Sequence, residues 1–256
     1  MYNVEKMCKD LQSLGLKQGD TVMMHSSFKS LGKIENGAQS VFDALLTVLG
    51  SKGTLILPSF SYDFVTYEQP MFNLQTTPSC IGYLPEYFRT KIPGVKRSMH
   101  ATHSCTVIGA LTDEMLRDHE LDLTPVGVNS PISKLPKVGG KILLLGSPKD
   151  SITSFHGIEE LIEPEYLFDY EKPIEYILQD GSNEVRQKAT HHSFHKNGFY
   201  YEQKYSRIFD LLDEAEYKFG KVLDADCYLL SAESVWRKGY EALKENPLYF
   251  VDKIKI

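Results

Sequence analysis

A histidine followed by two carboxylates at helical spacing is the first chemical feature of this sequence. The stretch TSFHGIEEL (153–161) has His156 near the predicted start of a helix, with Glu159 and Glu160 three and four residues later. Positions i, i+3 and i+4 share one helix face, so either carboxylate can reach the imidazole ring. A carboxylate on one ring nitrogen fixes the tautomer and raises the basicity of the other nitrogen. The spacing suits a general base, and it suits an ordinary surface ion pair equally well.

A second histidine cluster, His191-His-Ser-Phe-His195, raises the question of a metal site. His191 and His195 would share a face only on a helix, and no acidic or cysteine ligand is close in sequence. The usual ligand sets of protein metal sites are therefore incomplete, and we predict no metal.

Common cofactor and hydrolase motifs do not occur in the sequence. It contains no G-x-G-x-x-G after a predicted strand, no G-x-x-x-x-G-K-[ST] and no G-x-S-x-G. A dinucleotide site, a P-loop and a nucleophile elbow are therefore not indicated. Cys105 begins the apolar run CTVIGA, which favours a buried, inert cysteine over a thiol nucleophile.

A serine-rich loop, MHSSFKSLG (24–32), joins a predicted strand to a helix. Small hydroxyl residues leave backbone N–H groups free, and a helix N-terminus behind them adds positive potential, so the loop could hold phosphate. Ser26 and Ser27 could equally be simple caps of a turn.

The elements that must position these residues follow from hydrophobic spacing and from turn residues. Predicted helices cover residues 3–14, 38–49, 82–90, 199–219 and 231–244, and predicted core strands cover 21–25, 54–58, 105–109 and 141–146. Residues 60–80 form a long ordered loop of the kind that usually has a function. The turn Gln179–Ser182 predicts a hairpin between residues 174–178 and 184–189.

Strand, helix and strand between residues 21 and 58 indicate a parallel pairing of the two strands. We therefore expect an α/β protein with a mixed, mostly parallel central sheet flanked by helices, plus a small hairpin lobe. No repeat and no Pro/Gly/Ser-rich linker divides the chain, so we expect a single compact domain over residues 1–256.

Composition excludes several classes of protein. The net charge is −6 with 28 basic and 34 acidic residues, which argues against a nucleic-acid partner. No window approaches ~18 consecutive apolar residues, and the N-terminus has no apolar h-region, so neither a membrane span nor a signal peptide is expected. Four cysteines without a C-x-x-C pair fit a reduced compartment. We expect a soluble cytoplasmic protein, as a monomer or a homodimer.

Several further stretches occur in a recognisable order along the chain. They are MHSSFKSLG (24–32), GTLILPSFS (53–61), GYLPEYFR (82–89), RSMHATHSCTVIGA (97–110) and SPISKLPKVGGKILLLG (130–146), which runs into TSFHGIEEL. In this order the sequence resembles the aminoglycoside 3-N-acetyltransferases, also called the antibiotic N-acetyltransferase family. The resemblance covers residues ~4–165 with nearly fixed spacing, whereas the C-terminal helices fit loosely.

The resemblance implies acyl transfer from acetyl-CoA to an amine by direct attack, without a covalent intermediate. His156 resembles the family's catalytic histidine, which would take a proton from the attacking amine. Glu159 resembles its orienting carboxylate. Glu86, in GYLPEYFR, resembles a family glutamate that would hold the substrate ammonium or the histidine, although an exposed helix glutamate is the ordinary alternative.

The resemblance also implies residues that contact acetyl-CoA. The family segment that lies against CoA corresponds to His25, Ser26 and Ser27. The family serine near the thioester corresponds to Ser104. The family's His-Pro dipeptide is replaced here by His100-Ala101, which removes a constraint on the backbone of that loop.

The sequence leaves three interpretations of the function open, and the first two differ in the acceptor of the acetyl group. An aminoglycoside is a polycation and needs carboxylates, for which the candidates are Asp63, Glu68, Glu86, Glu163, Glu165, Asp169 and Glu171. A nucleotide-linked amino sugar of polysaccharide or metabolite biosynthesis would need cations such as Arg186 and Lys188. A protein that binds CoA or sugar without catalysis is the third reading, and the retained His156 and Glu159 argue against it.

Overall fold

The computed structural model describes residues 1–256 and contains seven α-helices. They are α1 (Val4–Leu14), α2 (Ala38–Leu49), α3 (Tyr83–Lys91), α4 (Thr112–Leu116), α5 (Pro131–Lys134), α6 (Ser154–Ile162) and α7 (Ala232–Glu245). The first three and the last were predicted within a few residues. None of the helices is both long enough and apolar enough to cross a bilayer.

Thirteen strands form three sheets. They are β1 (Thr21–Ser26), β2 (Thr54–Pro58), β3 (Met71–Asn73), β4 (Lys96–Arg97), β5 (Cys105–Gly109), β6 (Lys141–Leu145), β7 (Ile174–Asp180), β8 (Asn183–Ala189), β9 (His195–Lys196), β10 (Phe199–Gln203), β11 (Tyr217–Val222), β12 (Ala225–Ser231) and β13 (Val251–Lys255). The largest sheet has the order β11-β12-β6-β1-β2-β5-β4.

The large sheet is mixed, as predicted, but its parallel part is small. β1 runs parallel to both β2 and β6, whereas the other four pairings in the sheet are antiparallel. The expectation of a mostly parallel sheet therefore holds only for the three central strands. The reason is that β5 and β12 return beside β2 and β6 in the opposite direction, and the apolar pattern of a strand does not encode its direction.

Alternating side chains of the central strands supply two hydrophobic layers. In β1, Val22 and Met24 belong to the layer that contains α1, α2 and α3, whereas Met23 belongs to the layer that contains α6 and α7. Leu55 and Leu57 of β2 face the first layer in the same way. This alternation follows from the two-residue period of a strand, and burial of both faces explains the continuous apolar runs in the sequence.

The three parallel strands end at one edge of the sheet. β1 ends at Ser26, β2 at Pro58 and β6 at Leu145. Ligands of α/β proteins commonly bind in the crevice outside the carboxyl ends of such strands, because loops rather than further sheet cover that edge. The fold therefore predicts a binding site beside these three strand ends.

The hairpin lobe is present at the predicted position. β7 and β8 pair in antiparallel register from Ile174↔Ala189 to Asp180↔Asn183, with Gly181 at φ +58° in the turn. β3, which comes from the predicted loop of residues 60–80, joins the hairpin as a parallel edge strand. The long loop is thus tied to the lobe.

The predicted helix over residues 199–219 is wrong. This segment forms β10, a 3₁₀ turn over Tyr205–Asp210 and the beginning of β11. Its first residues, Phe199 to Tyr201, are aromatic and favour strands, and β10 pairs with β13 at the C-terminal end of the chain. That distant pairing outweighs the local helical spacing.

Candidate active site

A cleft of about 1300 Å³ opens at the carboxyl ends of the three parallel strands. Its floor includes His25, Ser26 and Pro58 from the strand ends and Ser147 from the loop after β6. Its walls come from the aromatic loop after β2, from the hairpin lobe and from residues 191–194. The cleft is where the sheet topology predicts a ligand site.

His156 reaches this cleft from the first turn of α6. The helix buries Phe155, Ile158 and Glu159, which leaves the His156 ring at the cleft with 17% of its side chain exposed. Gly157 allows α6 to pack closely against α7, since a Cβ at that position would lie 2.6 Å from the ring of Trp236. The HGIE segment therefore supplies both the imidazole in the cleft and the glycine that lets α6 pack closely against α7.

Glu159 is fully buried behind His156 and is held by two tyrosines. Its Oε2 accepts a hydrogen bond from the Tyr205 hydroxyl at 2.8 Å, and its Oε1 accepts one from the Tyr166 hydroxyl at 2.9 Å. The distance from Glu159 Oε2 to His156 Nδ1 is 3.8 Å, beyond hydrogen-bond range. The expected direct contact is thus replaced by a bridge, because the Tyr205 hydroxyl also lies 3.2 Å from His156 Nδ1.

The bridge assigns the tautomer of His156. A tyrosine hydroxyl has one proton, and Tyr205 donates it to Glu159. The contact between Tyr205 and His156 therefore requires Nδ1 to carry the proton and to donate it to the hydroxyl oxygen. Nε2 then has a free lone pair and makes no hydrogen bond within the protein. A ring held in this way is arranged to accept a proton at Nε2 from a molecule in the cleft.

Sequence reasoning missed both tyrosines. Tyr205 lies in the segment wrongly predicted as helix, and Tyr166 follows α6 in a loop. Burial and the contact with Glu159 raise the pKa of both phenols, so each remains a neutral donor. The pair of Tyr205 and Glu159 is separated by 46 positions in the chain, and no local spacing signals it.

Glu160 engages a different histidine, His192. The distance from Glu160 Oε1 to His192 Nε2 is 2.8 Å, and the same oxygen accepts the Val126 N–H at 2.7 Å. Both side chains of the pair are at least nine-tenths buried. Burial raises the pKa of Glu160 to about 7, although hydrogen bonds from Thr124 and Val126 partly oppose this shift.

Imidazole rings crowd the cleft around His156. The ring centroids of His192 and His103 lie 5.1 Å and 5.9 Å from that of His156. Burial, followed by repulsion between neighbouring rings, lowers the pKa of both His103 and His192 well below the ordinary value. Burial and the neighbouring His156 also lower the pKa of His25 to about 3. These surrounding rings are therefore neutral at neutral pH.

The histidines that suggested a metal site lie apart. His191 lines the cleft, whereas His195 is exposed on β9 with its Nδ1 2.7 Å from the Ser193 carbonyl oxygen. The structure contains no group of three His, Cys, Asp or Glu side chains that could hold a metal ion together.

The predicted CoA contacts divide into two groups. His25 and Ser26 line the cleft, and the hydroxyls of Ser26 and Ser147 are buried without a protein partner. Ser27 does not line the cleft; its N–H donates to the Leu145 carbonyl and its own carbonyl accepts from Ser30. The structure therefore brings only part of the HSS segment to the cleft.

Ser104 is also withdrawn from the cleft. It is fully buried, donates to the Ser59 carbonyl at 2.9 Å and accepts from Arg97 Nε at 2.8 Å. The other guanidinium nitrogens of Arg97 donate to the carbonyls of Thr77 and Ser59. Ser104 thus belongs to a buried network that ties the loop 60–80 to β2 and β5, and its neighbour His103 lines the cleft instead.

Glu86 is likewise absent from the cleft lining. Both of its carboxylate oxygens accept hydrogen bonds from Arg89, and one also accepts the Ser79 N–H at 2.8 Å. Burial raises the pKa of Glu86, but the bonds from Arg89 and Ser79 outweigh that effect and leave its pKa below the ordinary value. The structure therefore places this carboxylate in a local ion pair on α3, apart from His156.

Residues 23–244 match the model of the aminoglycoside 3-N-acetyltransferase family. The chain belongs to this family. It is therefore an acyltransferase, and the resemblance recognised in the sequence motifs is confirmed. The match extends beyond residue ~165 and includes the segment that carries Tyr205.

Similar proteins cover most of the chain. Aminoglycoside N(3)-acetyltransferase VII of Streptomyces paromomycinus is 34% identical over 69% of this chain and 66% of its own length. YokD of Bacillus subtilis, an aminoglycoside N(3')-acetyltransferase-like protein derived from prophage SPbeta, is 30% identical over 89% of this chain and 87% of its own. Among solved structures, AAC-IIIb in a binary complex with CoASH superposes with a TM-score of 0.82 at 25% identity, over 95% of this chain and 97% of that one. The family relationship therefore applies to the whole architecture.

Proposed function

We propose that this protein transfers the acetyl group of acetyl-CoA to the 3-amino group of an aminoglycoside. The observation that carries the proposal is the contact of the Tyr205 hydroxyl with both Glu159 Oε2 and His156 Nδ1, which leaves Nε2 of the cleft-lining His156 ring without a protein partner. The AAC-IIIb complex with CoASH and the names of the relatives support the two substrate classes.

The proposed reaction needs little from the protein beyond a base and correct positioning. A protonated amine has no lone pair, so His156 Nε2 accepts an N–H proton before or during attack on the acyl carbon. The positive charge that forms on the ring is stabilised through the Tyr205 hydroxyl by the buried Glu159 carboxylate. Direct attack requires no covalent enzyme intermediate, which agrees with the absence of an activated serine or cysteine beside His156. Cys105 is fully buried, and burial raises the pKa of its thiol.

The floor of the cleft suits a pantetheine-bearing substrate. Acetyl-CoA supplies an acyl group activated as a thioester. Ser26 and Ser147 present hydroxyls that have no protein partner, beside the ends of the neighbouring parallel strands β1 and β6. Unpaired buried hydroxyls are costly, so a polar ligand that bonds them compensates for their burial. We assign these two residues and His25 to the CoA side of the cleft.

The opposite wall suits a sugar amine. Tyr62 and Tyr67, from the loop after β2, line the cleft and offer ring faces to a sugar. Asp150 and Glu171 are the two carboxylates in the lining, and only Glu171 was among the sequence candidates. Two carboxylates can hold two ammonium groups of a polyamine while a third amine faces His156.

A second acceptor class is favoured by one specific observation. Lys172 and Lys188 also line the cleft, the latter from the hairpin strand that was considered for phosphate binding. Two lysines together with two carboxylates in the lining make the cleft less acidic than a site built only for a polycation. An amino sugar that carries a phosphate or diphosphate would use these cations, with the same chemistry at His156.

The test is release of free CoA thiol from acetyl-CoA in the presence of aminoglycosides or nucleotide-linked amino sugars. His156→Ala serves as the test variant, and His195→Ala, on the exposed strand β9, is its matched control. We expect turnover with aminoglycosides that is lost in His156→Ala and retained in His195→Ala. Turnover with nucleotide sugars alone would move the acceptor to the second class. Turnover that survives loss of His156 would contradict the base.

A further inference from the structure

A second histidine–carboxylate pair, His192 with Glu160, lies beside His156 and has no role in the reaction described above. His192 donates from Nε2 to Glu160, which leaves its Nδ1 as the acceptor nitrogen. This Nδ1 is closed off from solvent and has no hydrogen-bond partner. Its ring centroid lies 5.1 Å from that of His156, so the two imidazoles are direct neighbours, and no hydrogen bond joins them in this structure. A buried, unpartnered acceptor at this place requires an explanation.

The proposed reaction creates a need that this pair can meet. An acceptor ammonium loses two N–H protons on its way to an amide, and the leaving thiol takes up only one of them. His156 can hold one extra proton at a time. The other proton must therefore leave His156 before the ring can act again.

We propose that His192 and Glu160 form a relay that removes this surplus proton from His156. This inference rests on the proposed function. The N–H bond of the ammonium breaks and a bond to His156 Nε2 forms. A rotation of the His156 ring toward His192 then allows that proton to pass to Nδ1 of His192, while the Nε2 proton of His192 passes to Oε1 of Glu160. His156, neutral again, takes the second N–H proton during attack and gives it to the sulfur of the departing thiol. After the products leave, the Glu160 proton returns to Nε2 of His192 and the Nδ1 proton returns through His156 Nε2 to water in the cleft, which restores both starting tautomers.

The surroundings of His192 favour transfer through the ring over storage on it. His156 and Glu159 face it from α6, His103 from the loop before β5, and His191 from its own segment. Apart from Glu159, these groups are imidazoles that disfavour a lasting positive charge. Burial acts in the same direction and lowers the pKa of His192.

The surroundings of Glu160 favour acceptance of the proton. Asp122 lies near enough for its carboxylate and that of Glu160 to repel each other, and Glu163 and Tyr170 lie beyond the end of α6. No lysine or arginine is paired with Glu160. Burial, with a smaller contribution from the Glu163 carboxylate, lets Glu160 take up a proton near neutral pH, as its pKa of about 7 indicates.

The decisive variant is Glu160→Gln. The amide oxygen of glutamine still accepts the His192 and Val126 N–H groups, but the amide cannot take up a proton. Glu214→Gln, the same change at an exposed position outside the cleft, is the matched control. The measurement is kcat/KM against pH, by thiol release, for the wild type and both variants.

We expect Glu160→Gln to reduce kcat/KM by about tenfold or more below the pKa of the acceptor ammonium. Above that pKa the acceptor enters as a neutral amine, no surplus proton arises, and the variant should converge on the wild type. Glu214→Gln should follow the wild type throughout. A loss that is equal at every pH would indicate a structural role and overturn the relay, as would no loss at all. If His156→Ala abolishes turnover while Glu160→Gln loses nothing at any pH, the relay fails and the proposed function stands. If the wild-type protein shows no turnover, both the relay and the proposed function are wrong.

Discussion

Glu159 and Glu160 are neighbours in the sequence and have the same side chain, yet the fold gives them opposite surroundings. Glu159 points inward and accepts hydrogen bonds from two neutral tyrosines. Glu160 points toward the wall of the cleft and accepts bonds from a backbone N–H and an imidazole. Two adjacent residues of a helix are separated by about 100° around its axis, which suffices to send them to different partners.

The difference shows how one helix turn can hold two kinds of carboxylate. Glu159, reached through Tyr205, keeps the proton of His156 on Nδ1. Glu160 lacks a phenol donor, and burial raises its pKa to about 7, so it can exchange protons near neutral pH. A carboxylate held by two tyrosines and a carboxylate whose pKa is raised by burial thus come from neighbouring positions of α6. Five variants test whether these roles are separate.

The largest effect is expected from Glu159→Gln. An amide presents only one acceptor oxygen, so one of the two tyrosine hydroxyls loses its partner and the bridge to His156 is broken. We expect kcat to fall by about 10²–10³-fold with small changes in KM, since the substrates do not contact Glu159. Steady-state kinetics with thiol detection measures this, and a thermal unfolding scan confirms that the variant is folded. A kcat within about threefold of wild type would remove Glu159 from the mechanism.

The next largest effect concerns the pH dependence of stability at Glu160. Its pKa is about 7 in the folded protein against an ordinary value of 4.5, so the folded state holds the proton more tightly. The resulting stabilisation is complete below about pH 4.5 and is lost as pH rises to about 7. The Glu160→Gln variant does not lose stability in this way as pH rises, because a glutamine side chain does not titrate.

The variant should therefore gain up to roughly 3 kcal/mol on the wild type between about pH 4.5 and pH 8. Urea unfolding of both proteins at the two ends of this range gives the difference. The lowered pKa of His192 acts on both proteins and largely cancels. A difference in unfolding free energy that does not change with pH would show that Glu160 does not titrate in this range.

Tyr205→Phe and Tyr166→Phe form a matched pair that sharpens the role of Glu159. Each removes one hydroxyl from the carboxylate, but only the Tyr205 hydroxyl also contacts His156. Both should lose about 1 kcal/mol of unfolding free energy, the usual contribution of one hydrogen bond. Only Tyr205→Phe should lose about tenfold in kcat, whereas Tyr166→Phe should stay within about threefold. Equal losses of kcat in the two variants would contradict the bridge.

The smallest effect on activity is expected from Glu86→Gln. The sequence proposed Glu86 and Glu159 for the same site, but Glu86 is paired with Arg89 on α3. The change should cost about 1–2 kcal/mol of unfolding free energy through the lost charged hydrogen bonds. It should leave kcat within about threefold of wild type. A loss comparable to that of Glu159→Gln would return Glu86 to the active site.

The sequence by itself determined the family and the central strands, and it proposed His156 as the base. The strands β1, β2 and β6 and the helices α1, α2 and α7 have clear apolar periods, and the ordered motifs identified an acyltransferase. Turn chemistry at Gly181 also located the hairpin. These features depend on residues close together in the chain, where local geometry suffices to predict contacts.

Tertiary structure decided which motif residues meet in the cleft. Ser27, Ser104 and Glu86 belong to matching motifs, yet their side chains or backbone groups bond neighbouring loops and helices instead. Tyr205 and His192 lie in no motif and come to His156 from segments 49 and 36 residues away, carried by the pairing of β10 with β13 and by the bridge between Phe168 and His192. Local spacing cannot report such pairings, because the free energy that forms them comes from burial and strand contacts distant in sequence.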